Sequence, residues 1–172
     1  MVDFVSHALW AYVLFHHQAD MAAYAFFSVF PDLVWAVPSI FLGLASGSLF
    51  ERFKGWRKAS RADRFQKMQE QPHFSMVRTL YRVAHSWLLM SLVAAILWAV
   101  RPELMAPFVG GVFLHLGMDL FLHKESPFGQ YPFFPVFNYA VDGVIHWSDR
   151  RVLAANFAAL VLALALIFFR YL

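Results

Sequence analysis

The chain has no cysteine and few charged residues, and each shortage narrows what the protein can be. Without cysteine there is no disulfide and no thiolate, so a metal would have to be held by His, Asp, Glu or water. Charged residues make up 15% of the 172 residues, whereas they make up about a quarter of a soluble domain. Hydrophobic residues make up 60%, compared with about half in a soluble domain. No glycine-rich phosphate loop is present either. The composition predicts a single membrane-embedded domain, residues 1–172.

The basic residues that are present are concentrated in one stretch. Nine of the fourteen Lys and Arg residues lie between Glu51 and Arg82. The positive-inside rule places such a stretch in the cytoplasm. Nucleic-acid binding is the alternative interpretation of a basic run, but a solvated loop or an amphipathic helix against anionic lipid suits so apolar a chain better. We therefore expect a cytoplasmic loop over residues 51–82 and no nucleic-acid partner.

Two apolar runs precede the basic stretch. The first spans Phe4 to His17 and the second spans Met21 to Phe50. Proline disfavours helical geometry in the residue before it, so the first proline of the second run predicts a helix break. The expected structure is a short helix from Asp20 to Phe30, a turn at Pro31-Asp32, and an irregular or interfacial segment to Gly47.

Further apolar segments follow the basic stretch. Val83 to Val100 and Leu104 to Leu122 are each long enough to cross a bilayer, and the tight connection between them makes them antiparallel neighbours. A loop rich in proline and aromatic residues is expected over Lys124 to Asp149, and Val152 to Leu172 is the last span. The predicted fold class is all-α: a polytopic integral membrane helix bundle with about four to six apolar helical segments, some short or broken.

The segment from Leu104 onward carries the most informative residues. His115, Asp119 and His123 are spaced four apart in an otherwise apolar stretch, so on a helix they share one face. An ionisable group inside a membrane span is a candidate functional residue, because it is costly unless it is paired. The alternative is a satisfied polar cluster that only holds helices together. Three metal-competent side chains at this spacing favour a metal site, since a metal needs several convergent donors.

Depth along the predicted helices brings more polar residues to the same level. With the basic stretch in the cytoplasm, the span Val83 to Val100 runs outward through the membrane and the span Leu104 to Leu122 returns. The two short helices predicted before the basic stretch run away from the cytoplasmic face and back again, each over about 15 to 18 Å. Six side chains then meet near the cytoplasmic face: His7, Asp32, His85, His115, Asp119 and His123. Asp142 and His146 are interpreted as a solvated loop pair, with substrate binding as the alternative. His16, His17 and His73 are interpreted as interfacial or solvated.

Four short motifs follow one another over most of the chain: His7 in an early helix, Pro31-Asp32 in a turn, Arg82-x-x-His85-Ser86 at a helix start, and the helix of His115, Asp119 and His123 that runs into Tyr131-Pro-Phe-Phe-Pro135. In this order they resemble the bacterial membrane-bound metal-dependent hydrolases, also described as LexA-binding, inner-membrane-associated hydrolases. The resemblance implies a multi-pass, metal-dependent hydrolase of the bacterial inner membrane. The family turn is Pro-Asp-x-Asp, and this chain has Val34 at the second Asp. His123 or Asp142 could substitute, and the number of metals stays open.

The function we expect is hydrolysis of a phosphoester or similar bond in a lipid-linked substrate at the cytoplasmic face. A divalent metal, zinc or alternatively manganese, would be held by His7, Asp32, His85, His115 and Asp119. His123 would be a further ligand or a general acid–base group, and Arg82 would hold a phosphate. A catalytic site should also open toward the headgroups. The competing hypothesis is a non-catalytic membrane scaffold or regulator whose His/Asp cluster is structural.

Overall fold

The computed structural model shows an all-helical chain and describes residues 2–47, 63, 66–67, 69–71, 73–124, 129–146 and 149–170. Within these ranges the chain forms no strand, only two isolated bridges. The described helices are α1 (Val2–Phe15), α2 (Met21–Ala45), α3 (Phe74–Ala84), α4 (Trp87–Val100), α5 (Pro102–Leu122) and α6 (Arg150–Arg170). The predicted fold class is confirmed. Most of the predicted basic loop lies outside the described residues, and its last part belongs to α3.

Three of the described helices, α2, α5 and α6, are long and apolar enough to cross a membrane. The pair of α3 and α4 is a fourth candidate span, bent by 58° at the break between them. Helix α1 is apolar but has 14 residues, about 21 Å, which is shorter than a hydrocarbon core of about 30 Å. Large apolar side chains such as Phe41, Trp98 and Phe169 are exposed, as expected of surfaces that face lipid. The chain is a polytopic membrane protein, as predicted.

The predicted break at Pro31 is wrong, because α2 runs without interruption from Met21 to Ala45 and contains both Pro31 and Pro38. Each proline removes one N–H group from the helical hydrogen-bond ladder. A broken helix would leave still more backbone groups without partners in lipid, so membrane helices keep prolines that soluble helices exclude. Asp32 therefore lies inside a helix rather than in a turn, and no irregular segment follows it.

The predicted span from Val83 to Val100 is also wrong in one respect, because the helix is divided at His85 and Ser86. Ser86 has an extended backbone with ψ of 116°, and its hydroxyl oxygen accepts a hydrogen bond from the Leu89 N–H, which caps α4. The same hydroxyl donates to the carbonyl oxygen of Phe134 at 2.7 Å. The loop after α5 therefore stabilises the break.

The contact between α2 and α5 forms the centre of the protein, with α1 and α3 packed on α2 and α4 packed on α5. Gly111 permits this contact, since a Cβ atom there would lie 2.6 Å from the Tyr24 carbonyl oxygen and 2.8 Å from the Ser28 nitrogen. Atoms of a real side chain do not pack so closely, so only glycine allows the two helices to approach to this distance. A small apolar core on α4 and α5 comprises Met90, Phe108, Val112 and Leu116.

The loop after α5 folds back along the end of that helix. Gln130 pairs with Val141 in one isolated bridge, and His123 pairs with His146 in the other. Gly143 lies so close to the helix end that a Cβ atom would be 2.7 Å from the His123 nitrogen. This fold brings Gln130 into the interior, where it is 1% exposed.

Helix α6 packs against α1 and lies at the edge of the bundle. Trp10 Nε1 donates to Asn156 Oδ1 at 2.8 Å, and Asn156 Nδ2 donates to Ser6 Oγ at 2.6 Å. Polar side chains hold membrane helices together in this way, because their alternative is an unsatisfied group in hydrocarbon. The last span is therefore attached by hydrogen bonds as well as by apolar contact.

Candidate metal centre

Six polar side chains meet in the interior, and they are the six that the sequence places at one depth. His7 lies on α1, Asp32 on α2, and both His115 and Asp119 on α5, while His85 follows α3 and His123 follows α5. All six are buried, and three of them, His7, His85 and His115, have no exposed surface. Burial alone does not distinguish a metal site from a structural polar cluster.

Asp119 lies at the centre of this cluster. Its Oδ1 is 3.3 Å from His7 Nε2. Its Oδ2 is 3.4 Å from His115 Nε2, 3.5 Å from His85 Nε2 and 3.3 Å from His123 Nδ1. One carboxylate therefore contacts all four buried histidines.

Asp32 reaches the same cluster from α2. Its Oδ1 lies 3.5 Å from His85 Nε2 and 3.9 Å from His115 Nε2. The Trp35 indole N–H donates to the same oxygen at 3.0 Å, one turn further along α2. Because the helix continues through Pro31, its rigid backbone positions both Asp32 and the tryptophan that orients it.

Three of the atoms in the cluster have the spacing of metal ligands. His85 Nε2 and His115 Nε2 are 3.1 Å apart, and both lie within 3.5 Å of Asp119 Oδ2. Ligands that are about 2.0–2.1 Å from a tetrahedral zinc ion are about 3.3 Å from one another. The three atoms therefore fit a single tetrahedral ion, although hydrogen-bonded atoms have similar separations.

The positions of the ring protons of His85 and His115 limit the choice between a metal ion and a hydrogen bond. His85 Nδ1 donates to the Tyr81 carbonyl oxygen at 2.9 Å, and His115 Nδ1 donates to the Ser28 carbonyl oxygen at 2.7 Å. A carbonyl oxygen only accepts, so Nδ1 carries the proton in both rings and each neutral ring has its lone pair at Nε2. Two lone pairs 3.1 Å apart beside a carboxylate repel one another unless a cation lies among them. That cation is either a proton on one ring or a metal ion.

The charge of the cluster also requires either a protonated histidine or a metal ion. Asp32 and Asp119 are buried carboxylates, and no Lys or Arg pairs with either of them in the part of the chain that the structure describes. A buried carboxylate is unstable without compensating charge. Neutral imidazoles supply none, so imidazolium ions or a divalent metal must balance the two negative charges.

Among the residues that the structure describes, two overlapping groups could hold a metal ion. The first is His7, Asp32 and His115, and the second is His85, His115 and Asp119. Within each group the ligand atoms lie within 4.8 Å of one another. The rings of His7 and His115 are in contact, with their centres 4.0 Å apart and their planes inclined by 35°. The donors are all imidazole nitrogens and carboxylate oxygens, which suit zinc and manganese.

Gln130 and Tyr81 also belong to the cluster, and neither is among the site residues predicted from the sequence. Gln130 Nε2 lies 3.2 Å from Asp119 Oδ2, 3.2 Å from the Tyr81 hydroxyl oxygen and 3.3 Å from His123 Nδ1. The Tyr81 ring stacks on His85 with 3.9 Å between ring centres. Tyr81 has a signal in the sequence, since it precedes His85 by four residues on a helix. Gln130 has none, because only the folded loop brings it there.

Arg82 lies beside the cluster rather than inside it. Its Nη2 donates to the Tyr131 hydroxyl at 3.2 Å, and its guanidinium carbon is 4.2 Å from the centre of that ring. Partial burial raises the pKa of the Tyr131 phenol, but hydrogen bonds from Arg78 and Arg82 outweigh this effect, so the pKa lies below its ordinary value. Tyr131 therefore connects these two arginines to Gln130, the residue before it in the chain.

The other candidate residues from the sequence lie elsewhere. His16 Nδ1 donates to the Val13 carbonyl oxygen at 2.8 Å just beyond α1, and His73 is the N-cap residue of α3. His17 and Asp142 are exposed, while His146 is half-buried in the loop. Val34 is half-buried on α2 and offers no ligand atom in place of the second Asp.

Comparisons with known protein families, with curated proteins and with solved structures find no match for this chain. Fold and site define its class: over the described residues it is an all-helical membrane protein with three to four candidate spans and with buried His/Asp groups that could hold a metal ion.

Proposed function

We propose that the protein is a membrane-embedded, metal-dependent hydrolase that cleaves a phosphoester or similar bond in a lipid-linked substrate. The observation that carries the proposal is the pair of Nε2 atoms on His85 and His115, 3.1 Å apart and both facing Asp119. Backbone carbonyl oxygens hold both rings in the tautomer that ligates through Nε2, which is how proteins orient metal-binding histidines. Zinc suits this donor set, with manganese as the alternative.

The residues of the cluster have separate roles in this proposal. The ion would be held by His7, Asp32, His85, His115 and Asp119, and when bound it supplies Lewis acidity and an activated water. His123 Nδ1 lies 3.3 Å from Asp119 Oδ2, at the edge of the donor set, where it could give or take a proton. Arg82 would hold the phosphoryl group by charge-assisted hydrogen bonds.

The orientation in the membrane belongs to the same proposal. The concentration of nine of the fourteen Lys and Arg residues between Glu51 and Arg82 supports a cytoplasmic site, and the family resemblance supports the bacterial inner membrane. A lipid-linked substrate would approach within the bilayer, which suits a site buried among spans. A topology reporter fused near Arg61 should give a cytoplasmic signal, and a periplasmic signal would contradict this orientation.

Metal analysis of the purified protein is the first test. The wild-type protein in detergent should contain a divalent metal, and His115→Ala and Asp119→Ala should each lose most of it while keeping their helical circular dichroism. His16→Ala is a matched control, because it removes a histidine that lies just beyond α1 and outside the cluster, where its Nδ1 donates to the Val13 carbonyl oxygen. Wild-type metal content in both site variants would show that the metal is not bound here.

The competing proposal is a membrane scaffold or regulator, and the near-complete burial of the cluster favours it. In that case a proton supplies the cation between His85 and His115, and chelation should leave the unfolding temperature unchanged. A metal site predicts that chelation lowers it, because ligand binding stabilises the folded state. A hydrolase predicts in addition that phosphate is released from lipid phosphomonoesters in nanodiscs, and that this release is lost in Asp119→Ala.

A further inference from the structure

Two arginines and a tyrosine form a second polar group next to the metal cluster. Arg78 Nη2 and Arg82 Nη2 both donate to the Tyr131 hydroxyl oxygen, at 3.3 and 3.2 Å. The Arg82 guanidinium also makes a cation–π contact with the Tyr131 ring. Because the phenol oxygen accepts both of these bonds, its own hydrogen is left to donate elsewhere. These three residues are called the arginine–tyrosine clamp below.

The clamp has uncompensated positive charge. Arg78 and Arg82 lie one turn apart on α3, a spacing at which like charges destabilise a helix. Among the described residues, no carboxylate lies within ion-pair distance of either guanidinium. The Nε atoms of both arginines are buried and have no hydrogen-bond partner in the part of the chain that the structure describes. An unmade hydrogen bond of a charged group costs free energy. An anion with several acceptor oxygens would relieve both costs.

The clamp is held next to the metal cluster by two connections. Arg78, Tyr81 and Arg82 lie on one face of α3, at positions i, i+3 and i+4. His85, the C-cap residue of that helix, continues the same face at position i+7. On the loop side, Tyr131 directly follows Gln130, whose Nε2 is 3.2 Å from Asp119 Oδ2.

Hydrogen bonds to the start of α4 fix the loop segment that carries Tyr131. The Leu88 N–H donates to the Pro132 carbonyl oxygen at 3.0 Å, and the Ser86 hydroxyl donates to the Phe134 carbonyl oxygen at 2.7 Å. The segment therefore keeps the phenol beside α3, and the clamp is a preformed site rather than a chance contact of two long side chains.

We propose that the clamp binds the phosphoryl oxyanion of the substrate, with Arg78 and Tyr131 as further binding residues beside Arg82. The inference rests on the proposed function for the identity of the substrate, whereas anion binding itself requires no metal. Planar guanidinium groups match the oxygens of a phosphate in a bidentate way, which lysine cannot do. The same oxygens belong to a lipid phosphomonoester headgroup and to a soluble phosphate compound, so the shared ligand is a phosphoryl group.

Binding of inorganic phosphate to the full-length protein tests the clamp. The protein is placed in phosphatidylcholine nanodiscs, stripped of metal with a chelator and titrated by calorimetry. Arg78→Gln and Arg82→Gln should each raise the dissociation constant of phosphate by about tenfold or more, because each removes charge-assisted hydrogen bonds. Tyr131→Phe keeps the ring but removes one donor, so a rise of about threefold is expected. Arg101→Gln is the control, because Arg101 is exposed and pairs with Glu103.

Each outcome of the titration has a definite meaning. If the wild-type protein does not bind phosphate, or if folded Arg78→Gln and Arg82→Gln bind it as tightly as the control, the clamp is not an anion site. If a glutamine variant does not fold, Arg78→Lys and Arg82→Lys keep the charge and lose the bidentate geometry, and they should still weaken binding. Phosphate binding by the clamp, combined with a metal analysis that finds no divalent metal in the wild-type protein as purified, would overturn the hydrolase and leave the clamp standing.

A second arm of the experiment separates the two sources of the phosphoryl group. Phosphatidic acid added to the nanodiscs should weaken binding of inorganic phosphate if a lipid headgroup enters the clamp. Unchanged binding would assign the clamp to a soluble phosphate compound. Loss of phosphate affinity equally in the wild-type protein and in Arg82→Gln would mean that the lipid acts by surface charge alone, which contradicts occupation of the clamp.

Discussion

Replacing Gly111 by alanine should disturb the candidate metal centre without changing any of its ligands. The added Cβ would lie 2.6 Å from the Tyr24 carbonyl oxygen, whereas ordinary contact begins at 3.4 Å. Helices α2 and α5 would therefore have to separate by about 0.8 Å. The Ser28 carbonyl oxygen now lies 2.7 Å from His115 Nδ1. The same separation would lengthen this bond to about 3.5 Å, where a hydrogen bond is almost lost.

The magnitude of the effect follows from both changes. Overpacking of this kind costs about 1–3 kcal/mol of folding free energy, and loss of the hydrogen bond behind a metal-ligating histidine lowers metal affinity by about 10- to 100-fold. Thermal unfolding and a competitive metal titration would measure the two effects separately. Gly117→Ala is the matched control on the same helix, because its added Cβ would meet nothing within 4 Å. Equal unfolding temperatures and equal metal affinities in the two variants would refute the reasoning.

Three smaller predictions concern the pH dependence of metal binding, the Tyr131 phenol and the attachment of α6. Bound metal should be released as the pH falls, since imidazole must be neutral to ligate, and metal content that does not change with pH would contradict histidine ligation. The phenolate absorbance of Tyr131 should appear below the ordinary tyrosine pKa, and Arg82→Gln should raise that pKa. Because the Tyr131 pKa is lower in the folded protein, its ionisation contributes to stability fully at a pH above the unfolded-state pKa of about 10. This contribution is lost as the pH falls through the folded-state pKa. Asn156→Leu removes the bonds to Trp10 and Ser6 and should cost about 1 kcal/mol, measured by unfolding in detergent; an unchanged midpoint would show that apolar contact alone holds α6.

Local spacing makes much of the cluster predictable from the sequence. His115 and Asp119 are one turn apart on a helix whose limits are marked by Pro102 and by the loop that follows, so their common face needs no knowledge of the fold. Asp32 reaches the predicted place by a different route, because the helix continues through Pro31. The predicted break at Pro31 was wrong because it applied a rule for helices in water, where proline ends a helix more readily than it does in lipid.

The parts that the sequence does not predict depend on contacts between distant segments. The division of the span at Ser86 relies on the Phe134 carbonyl oxygen, which lies 48 residues away in the chain. Gln130 enters the cluster only because the loop folds back and pairs with Val141. A local sequence pattern cannot predict contacts between segments so far apart in the chain. A residue such as Gln130 can therefore belong to the site although the sequence around it is typical of a loop.

His115 is common to both groups of residues that could hold an ion. Its Nδ1 proton is donated to the Ser28 carbonyl oxygen, so the ring has a single lone pair, at Nε2. One lone pair binds one ion, so the two groups cannot each hold a separate ion through His115 at the same time. A metal titration should saturate at one equivalent per chain, and a second equivalent would have to depend on a bridging carboxylate rather than on this histidine.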